Sequence, residues 1–176
     1  MNKSEIKKKQ KKKSNIMVIV VAFVVVAIAA FSIFSSKGEG QVGSNQPPLI
    51  SAVNENGDLE IPVADITEKA TFYAYNELDS KMEVLAVKAS DGTIRTAFNT
   101  CQVCYSSGRG YYVQEGDVLV CQNCGNRFSM DEVEITKGGC NPVPIFDDQK
   151  EVTDKSIIIP KEFLKEAEVI FENWKA

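Results

Sequence analysis

Apolar residues follow three rhythms along the chain. From Ile16 to Phe34 (IMVIVVAFVVVAIAAFSIF) they run for 19 residues without a charge. At ~1.5 Å rise per residue a helix of this length covers about 28 Å, close to the ~30 Å hydrocarbon core of a bilayer. Its many β-branched residues would weaken a helix in water, but in lipid every backbone group must be satisfied within the segment. Beyond residue 58 the runs shorten to strand length. Leu59-Glu60-Ile61 leads into Pro62, and Val63–Ile66 predicts a single helical turn. Ala70–Asn76 (ATFYAYN) and Met82–Lys88 (MEVLAVK) predict strands. Ser90-Asp91-Gly92-Thr93 predicts a turn centred on Asp-Gly, and Ile94–Phe98 completes the hairpin. Tyr111–Gln114 and Val118–Cys121 flank Glu115-Gly116-Asp117 as a second hairpin. The third rhythm closes the chain. Ser156–Ile159 reads as a strand, Pro160 suits the first turn of a helix, and Phe163, Ala167, Ile170, Phe171 and Trp174 share one helical face that packs on a sheet.

Between the long apolar run and the strands, residues 35–48 (SSKGEGQVGSNQPP) have the composition of a flexible tether. The chain therefore divides into a basic segment 1–15, a transmembrane helix 16–34, a linker 35–48 and a domain 49–176. Charge sharpens this division. Residues 1–15 carry seven lysines and one glutamate, a net of +6, whereas the remainder is net −10. Such an acidic body repels phosphates, so nucleic acid is not expected as a partner. The lysines lie on one side of the span only, which predicts a single-pass protein of the cell membrane with a cytoplasmic N-terminus and an exported domain. A cleaved signal peptide is the alternative, with Ala27-Ile28-Ala29 as a small-residue site, but that triplet lies inside an apolar run longer than the usual ~7–15 residues. Either reading exports the domain.

The chain has five cysteines and no histidine. This excludes Ser-His-Asp and Cys-His catalysis, His-ligated zinc enzymes and histidine pH switches. The pattern Cys101-x2-Cys104, sixteen residues, Cys121-x2-Cys124 falls within the spacing of a four-cysteine metal site. Two such turns joined by a hairpin bring four sulfurs to one point, as a tetrahedral zinc or iron ion or a small iron–sulfur cluster requires. Gly125 frees the turn behind Cys124. Disulfides or redox-active dithiols compete with this reading in an exported domain, yet neither pair opens a helix in a βαβ context, and five cysteines cannot all pair within one chain. Cys140, in Gly138-Gly139-Cys140-Asn141-Pro142, is a further candidate ligand, a lid over the site, or a link to a partner. The acidic residues Asp91, Glu115, Asp117, Asp131, Glu132 and Glu134 lie around the proposed site. They read as a solvated surface, with docking of a basic partner or attraction of ferrous iron as the alternative.

At these residues the sequence resembles the FtrD-like membrane iron–sulfur protein family, from roughly Leu59 to Ile145. DGTIRTAFNTCQVCYSSGRGYYVQEGDVLVCQNCGNRFSMDEV followed by GGCNPVPI carries the resemblance. It implies an iron–sulfur electron carrier associated with iron uptake across the membrane, beside permease and ferroxidase components. More distantly, Asp91-Gly92 through Cys101, then Gly116-Asp117-Val118-Leu119-Val120-Cys121 with Gly125 and Phe128, resembles a Rieske ferredoxin domain. Gly139-Cys140-Asn141-Pro142 stands where the covering loop would be. Rieske loops supply one Cys and one His each, whereas both pairs here are Cys-x2-Cys, so a [2Fe–2S] centre would be all-thiolate. Two His ligands raise Rieske potentials to about −150 to +300 mV, against about −400 mV for plant-type all-Cys ferredoxins, so a lower potential is expected here.

The expected fold is therefore a transmembrane helix followed by a mainly β (α+β) domain, Rieske-like or zinc-ribbon-like, with a C-terminal helix. The expected function is metal-centred electron transfer connected with iron transport, not an enzyme activity. The cofactor is an iron–sulfur cluster, [2Fe–2S] favoured, held by Cys101, Cys104, Cys121 and Cys124. Two alternatives remain open: a structural zinc (or a mononuclear iron) in a module that binds a membrane transporter, and thiol-based delivery of copper or iron.

Overall fold

The computed structural model describes residues 50–176; the basic segment 1–15, the span 16–34 and the linker 35–48 lie outside the described residues. Among the described residues no helix is long and apolar enough to cross a membrane.

The strands β3 (Thr71–Tyr75) and β4 (Met82–Lys88) show why the central sheet is buried on both faces. Met82, Val84 and Ala86 face one core, and Leu85 and Val87 face another. That two-sided demand explains why MEVLAVK is apolar almost throughout rather than alternating with polar residues. Strand β4 pairs antiparallel with β3 and with β5 (Ile94–Cys101), through the Asp-Gly turn the sequence predicts. Strands β1 (Ile50–Ser51) and β9 (Pro142–Pro144) complete the five-stranded order β1-β3-β4-β5-β9. The sequence reading does not include β9, because prolines cannot donate to a ladder; β9 lies at the sheet edge, where they are tolerated.

Two small antiparallel sheets cover the central one. Strands β10 (Glu151–Val152), β11 (Ser156–Ile159) and β2 (Leu59–Pro62) form the first, in the order β10-β11-β2. Leu59, Ile61, Ile157 and Ile159 join Tyr73, Tyr75 and Phe98 in one core. Helix α1 (Lys161–Ala167) and the 3-10 turn Glu168–Phe171 close that core with Leu164 and Phe171. The helix is shorter than the aromatic stripe implies. Its end is tied to the central sheet instead: Trp174 Nε1 donates to Asn99 O at 2.7 Å, and the rings of Phe171 and Trp174 meet edge to face at 5.7 Å.

The second small sheet comprises β6 (Tyr112–Glu115), β7 (Val118–Cys121) and β8 (Arg127–Ser129), in that order. Its hairpin turns at Glu115-Gly116-Asp117 as the sequence predicts. Tyr112, Leu119 and Phe128 pack with Phe72, Leu85 and Val87 in the second core, which also contains Cys101 and Cys121. The described residues thus form a mainly β domain with one C-terminal helix and a cysteine cluster at the edge of its second core.

Candidate metal centre

Three strands deliver the cysteines. Cys101 is the last residue of β5 and pairs with Pro142 of β9. Cys121 is the last residue of β7 and pairs with Tyr112 of β6. Each of these first cysteines is buried. Beyond each, the chain turns back so that the second cysteine of the pair lies further out: Cys104 is half-buried and Cys124 is exposed.

Backbone bonds fix both turns. Cys104 N donates to Cys101 Sγ at 3.3 Å, Cys101 N donates to Gly110 O at 2.6 Å, and Gly125 N donates to Cys121 O at 2.8 Å. Gly125 has φ +72°, the left-handed geometry that favours glycine, as its place behind Cys124 leads one to expect.

The third contribution is Cys140. The sulfurs of Cys101, Cys104, Cys121 and Cys140 all lie within 4.8 Å of one another. Cys140 Sγ is 3.2 Å from Cys101 Sγ, 3.7 Å from Cys104 Sγ and 2.7 Å from Cys124 Sγ. Its position is over-determined: Tyr112 Oη and Asn126 Nδ2 each donate to Cys140 O at 2.8 Å. Gln102 holds both sides of the same loop, accepting from Gly138 N at 2.9 Å and donating to Pro142 O at 3.2 Å. So all five cysteines gather at one place. Cys140 replaces Cys124 in the tightest group of four, and Cys124 stands at the rim against Cys140.

The electrostatics are uneven. Burial raises the Cys101 thiol, but backbone N–H groups of Val103 and Cys104, with Cys140 and Tyr112, outweigh it and bring the thiol below its ordinary value. Burial pushes Cys121 up to about 11, against the amides of Cys124 and Asn123. Burial, then hydrogen bonds to Cys124, Cys101 and Cys104, holds the Cys140 thiol far above its ordinary value. Hydrogen bonds from Cys140 and from the Asn126 amide bring Cys124 down to about 7. Cys124 is the exposed sulfur of the five, and its contact with Cys140 at 2.7 Å is one in which either sulfur can donate.

A soft metal is what this donor set fits, since four or five sulfurs with no carboxylate among them suit zinc, iron or Cu(I) rather than hard cations. The sequence reading misses the supports around the sulfurs: Gly110, Tyr112, Gln102 and Asn126. Gly110 has a signal only in three dimensions, because a Cβ there would lie 2.3 Å from Cys104 O. The acidic residues expected around the site lie instead at the other ends of the strands that carry it, by the β4–β5 and β6–β7 turns, because β5 and β7 run from those turns to Cys101 and Cys121, and most of them are engaged in the fold. Asp131 accepts from Ser90, Glu134 pairs with Lys150, Asp91 with Arg95, and Glu115 with Arg127. No curated protein and no solved structure matches the chain. Over residues 63–171 it matches the family described as membrane iron-sulfur containing protein FtrD-like, a stretch that holds all five cysteines, β9, helix α1 and the turn Glu168–Phe171. With that match over more than half its length, the chain belongs to the FtrD-like family of membrane iron–sulfur proteins.

Proposed function

We propose that the protein is a membrane-anchored electron carrier serving iron transport, with an iron–sulfur cluster, [2Fe–2S] favoured, as its redox group and no enzyme activity of its own. The observation that carries this reading is the convergence of five thiols at the ends of β5, β7 and β9 in a chain without histidine. When bound, such a cluster supplies one-electron chemistry. The chain's own residues bind and orient: Cys101 and Cys121 present buried sulfurs braced by backbone amides, and Tyr112 closes the inner side through Cys140 O. An all-thiolate site sits at a lower potential than a Rieske centre, which suits passing electrons toward ferric iron better than taking them from ferrous iron. The partners proposed are iron-permease or other membrane transport components, reached from a single-pass anchor with a cytoplasmic N-terminus.

One observation favours a second reading, a single tetrahedral iron or zinc ion. With metal–sulfur bonds of ~2.3 Å the edge of such a tetrahedron is ~3.8 Å. The four closest sulfurs, all within 4.8 Å of one another, are near that size. A two-iron cluster would have to spread them into two pairs.

Anaerobic purification of the full chain from membranes separates these readings. Visible absorption that bleaches on reduction, with iron and acid-labile sulfide, is the expected outcome. Iron without sulfide supports the single-ion reading. Colourless protein carrying zinc overturns electron transfer. The N-terminus of the membrane-bound protein tests the anchor, since a mature chain beginning after Ala30 would mean a cleaved signal peptide.

A further inference from the structure

A tetrahedral ion takes four thiolates, and this site gathers five. The surplus is built in. Cys140 is held by Tyr112, Asn126 and Gln102 from both cysteine turns, and β9 pairs with β5 at Cys101. Its sulfur stands among the others, nearest to Cys124 at 2.7 Å, so an ion seated among them meets Cys140. Cys124 differs from the other four in being exposed.

We propose that Cys140 is a metal ligand and that Cys124 and Cys140 share one coordination position, Cys124 receiving the ion from solvent and Cys140 retaining it with Cys101, Cys104 and Cys121. The exchange balances without an oxidant or reductant. The incoming ion binds Cys124 together with Cys101, Cys104 and Cys121, and the protons of these four thiols leave to solvent. The bond from metal to Cys140 Sγ then forms with loss of the Cys140 proton to solvent, and the bond to Cys124 Sγ breaks as Cys124 takes up a proton from solvent. Coordination number, charge and oxidation state are unchanged, and release runs the same steps backward. The inference rests on the thiols holding a metal, as proposed above, but not on that metal being an iron–sulfur cluster.

The test uses the full chain in detergent, stripped anaerobically and reloaded with equimolar Co2+ as the probe. Iodoacetamide labelling mapped by mass spectrometry should mark Cys124 at least ~10-fold faster than the other four cysteines. Preferential labelling of Cys140, protection of all five, or equal labelling of all five would each overturn the proposal. Cobalt–thiolate charge-transfer absorption provides a second reading. Cys124→Ser and Cys140→Ser should each keep the four-thiolate intensity, because the remaining thiol fills the position, and the double variant should lose about one quarter of it. Transfer of cobalt to a chelator should slow at least ~10-fold in Cys124→Ser, the size of effect typical for altered metal surroundings. Loss of intensity in Cys124→Ser alone, with Cys140→Ser like the unaltered chain, would assign the site to the two Cys-x2-Cys pairs and sink the exchange. Colour and sulfide of the protein as purified report separately on the iron–sulfur reading, so either idea can fail without the other.

Discussion

Gly110 shows how close the chain passes to itself behind the first cysteine pair. A methyl group there would be 2.3 Å from Cys104 O and 2.8 Å from Tyr105 N, both backbone atoms with little room to yield. Gly110→Ala is therefore expected to cost about 1–3 kcal/mol, the usual scale of overpacking, and to lower metal content per chain. Urea denaturation and metal analysis of the same preparation check both effects. Lys150 makes the opposite point, that a charge can be buried when every donor is used. Its side chain is only 2% exposed, and Nζ donates to Glu134 at 2.6 Å, Thr96 Oγ1 at 3.0 Å and Ile145 O at 3.0 Å. Glu134 itself sits at φ 66°, a left-handed conformation costly for a residue with a Cβ. Lys150→Met should destabilise by about 3–5 kcal/mol, because it strands a largely buried carboxylate. Adding Glu134→Gln to that variant should recover part of the loss, measured as a double-mutant cycle in urea.

At the level of elements, a clasp joins two turns that are far apart in sequence. Ser90 donates from its backbone to Asp131 Oδ1 at 2.7 Å and from its hydroxyl to Oδ2 at 2.9 Å, tying the β4–β5 turn to the segment after β8. Arg95 adds a bond to Asp131 O. These bonds, the Ser90 backbone first, hold the Asp131 carboxyl below its ordinary value. A lowered folded-state value means that the contribution is present above the unfolded carboxylate value of ~3.9 and is lost as pH falls through the folded one. Asp131→Asn should accordingly flatten the acid limb of the stability–pH curve and leave its slope near neutrality unchanged, as thermal melts across pH would record. Most strands were legible because their side chains answer to one or two cores: TFYAY, MEVLAVK and SIII read as strands for that reason. Strand β9 was not, since Pro142 and Pro144 remove its donors and only its place at the sheet edge allows it. The two Cys-x2-Cys turns were legible from spacing alone. The place of Cys140 was not, because it depends on β9 pairing with β5, which brings Cys140 to Cys101 from 39 residues away, a long-range contact with no local signature.

Over the whole domain, the thiols lie in segments that few other buried side chains secure. Strands β3 and β4 are secured from both faces by fully buried side chains such as Phe72, Tyr73, Val84 and Leu85. The segments 101–105, 121–127 and 138–143 carry the sulfurs and have fewer buried side chains. Removing the metal with a chelator should therefore raise amide hydrogen exchange in those three segments and leave β3 and β4 protected. Uniform loss of protection would mean that the metal holds the entire domain together. The pairing that places Cys140 also imposes an order of assembly. Sixteen residues separate Cys104 from Cys121, and the β6–β7 hairpin between them can close as soon as it has been synthesised. Cys140 joins only after the later, slower docking of an edge strand. A growing chain can thus gather four thiols before the fifth arrives, so the pocket is completed by a strand that docks after the hairpin has closed.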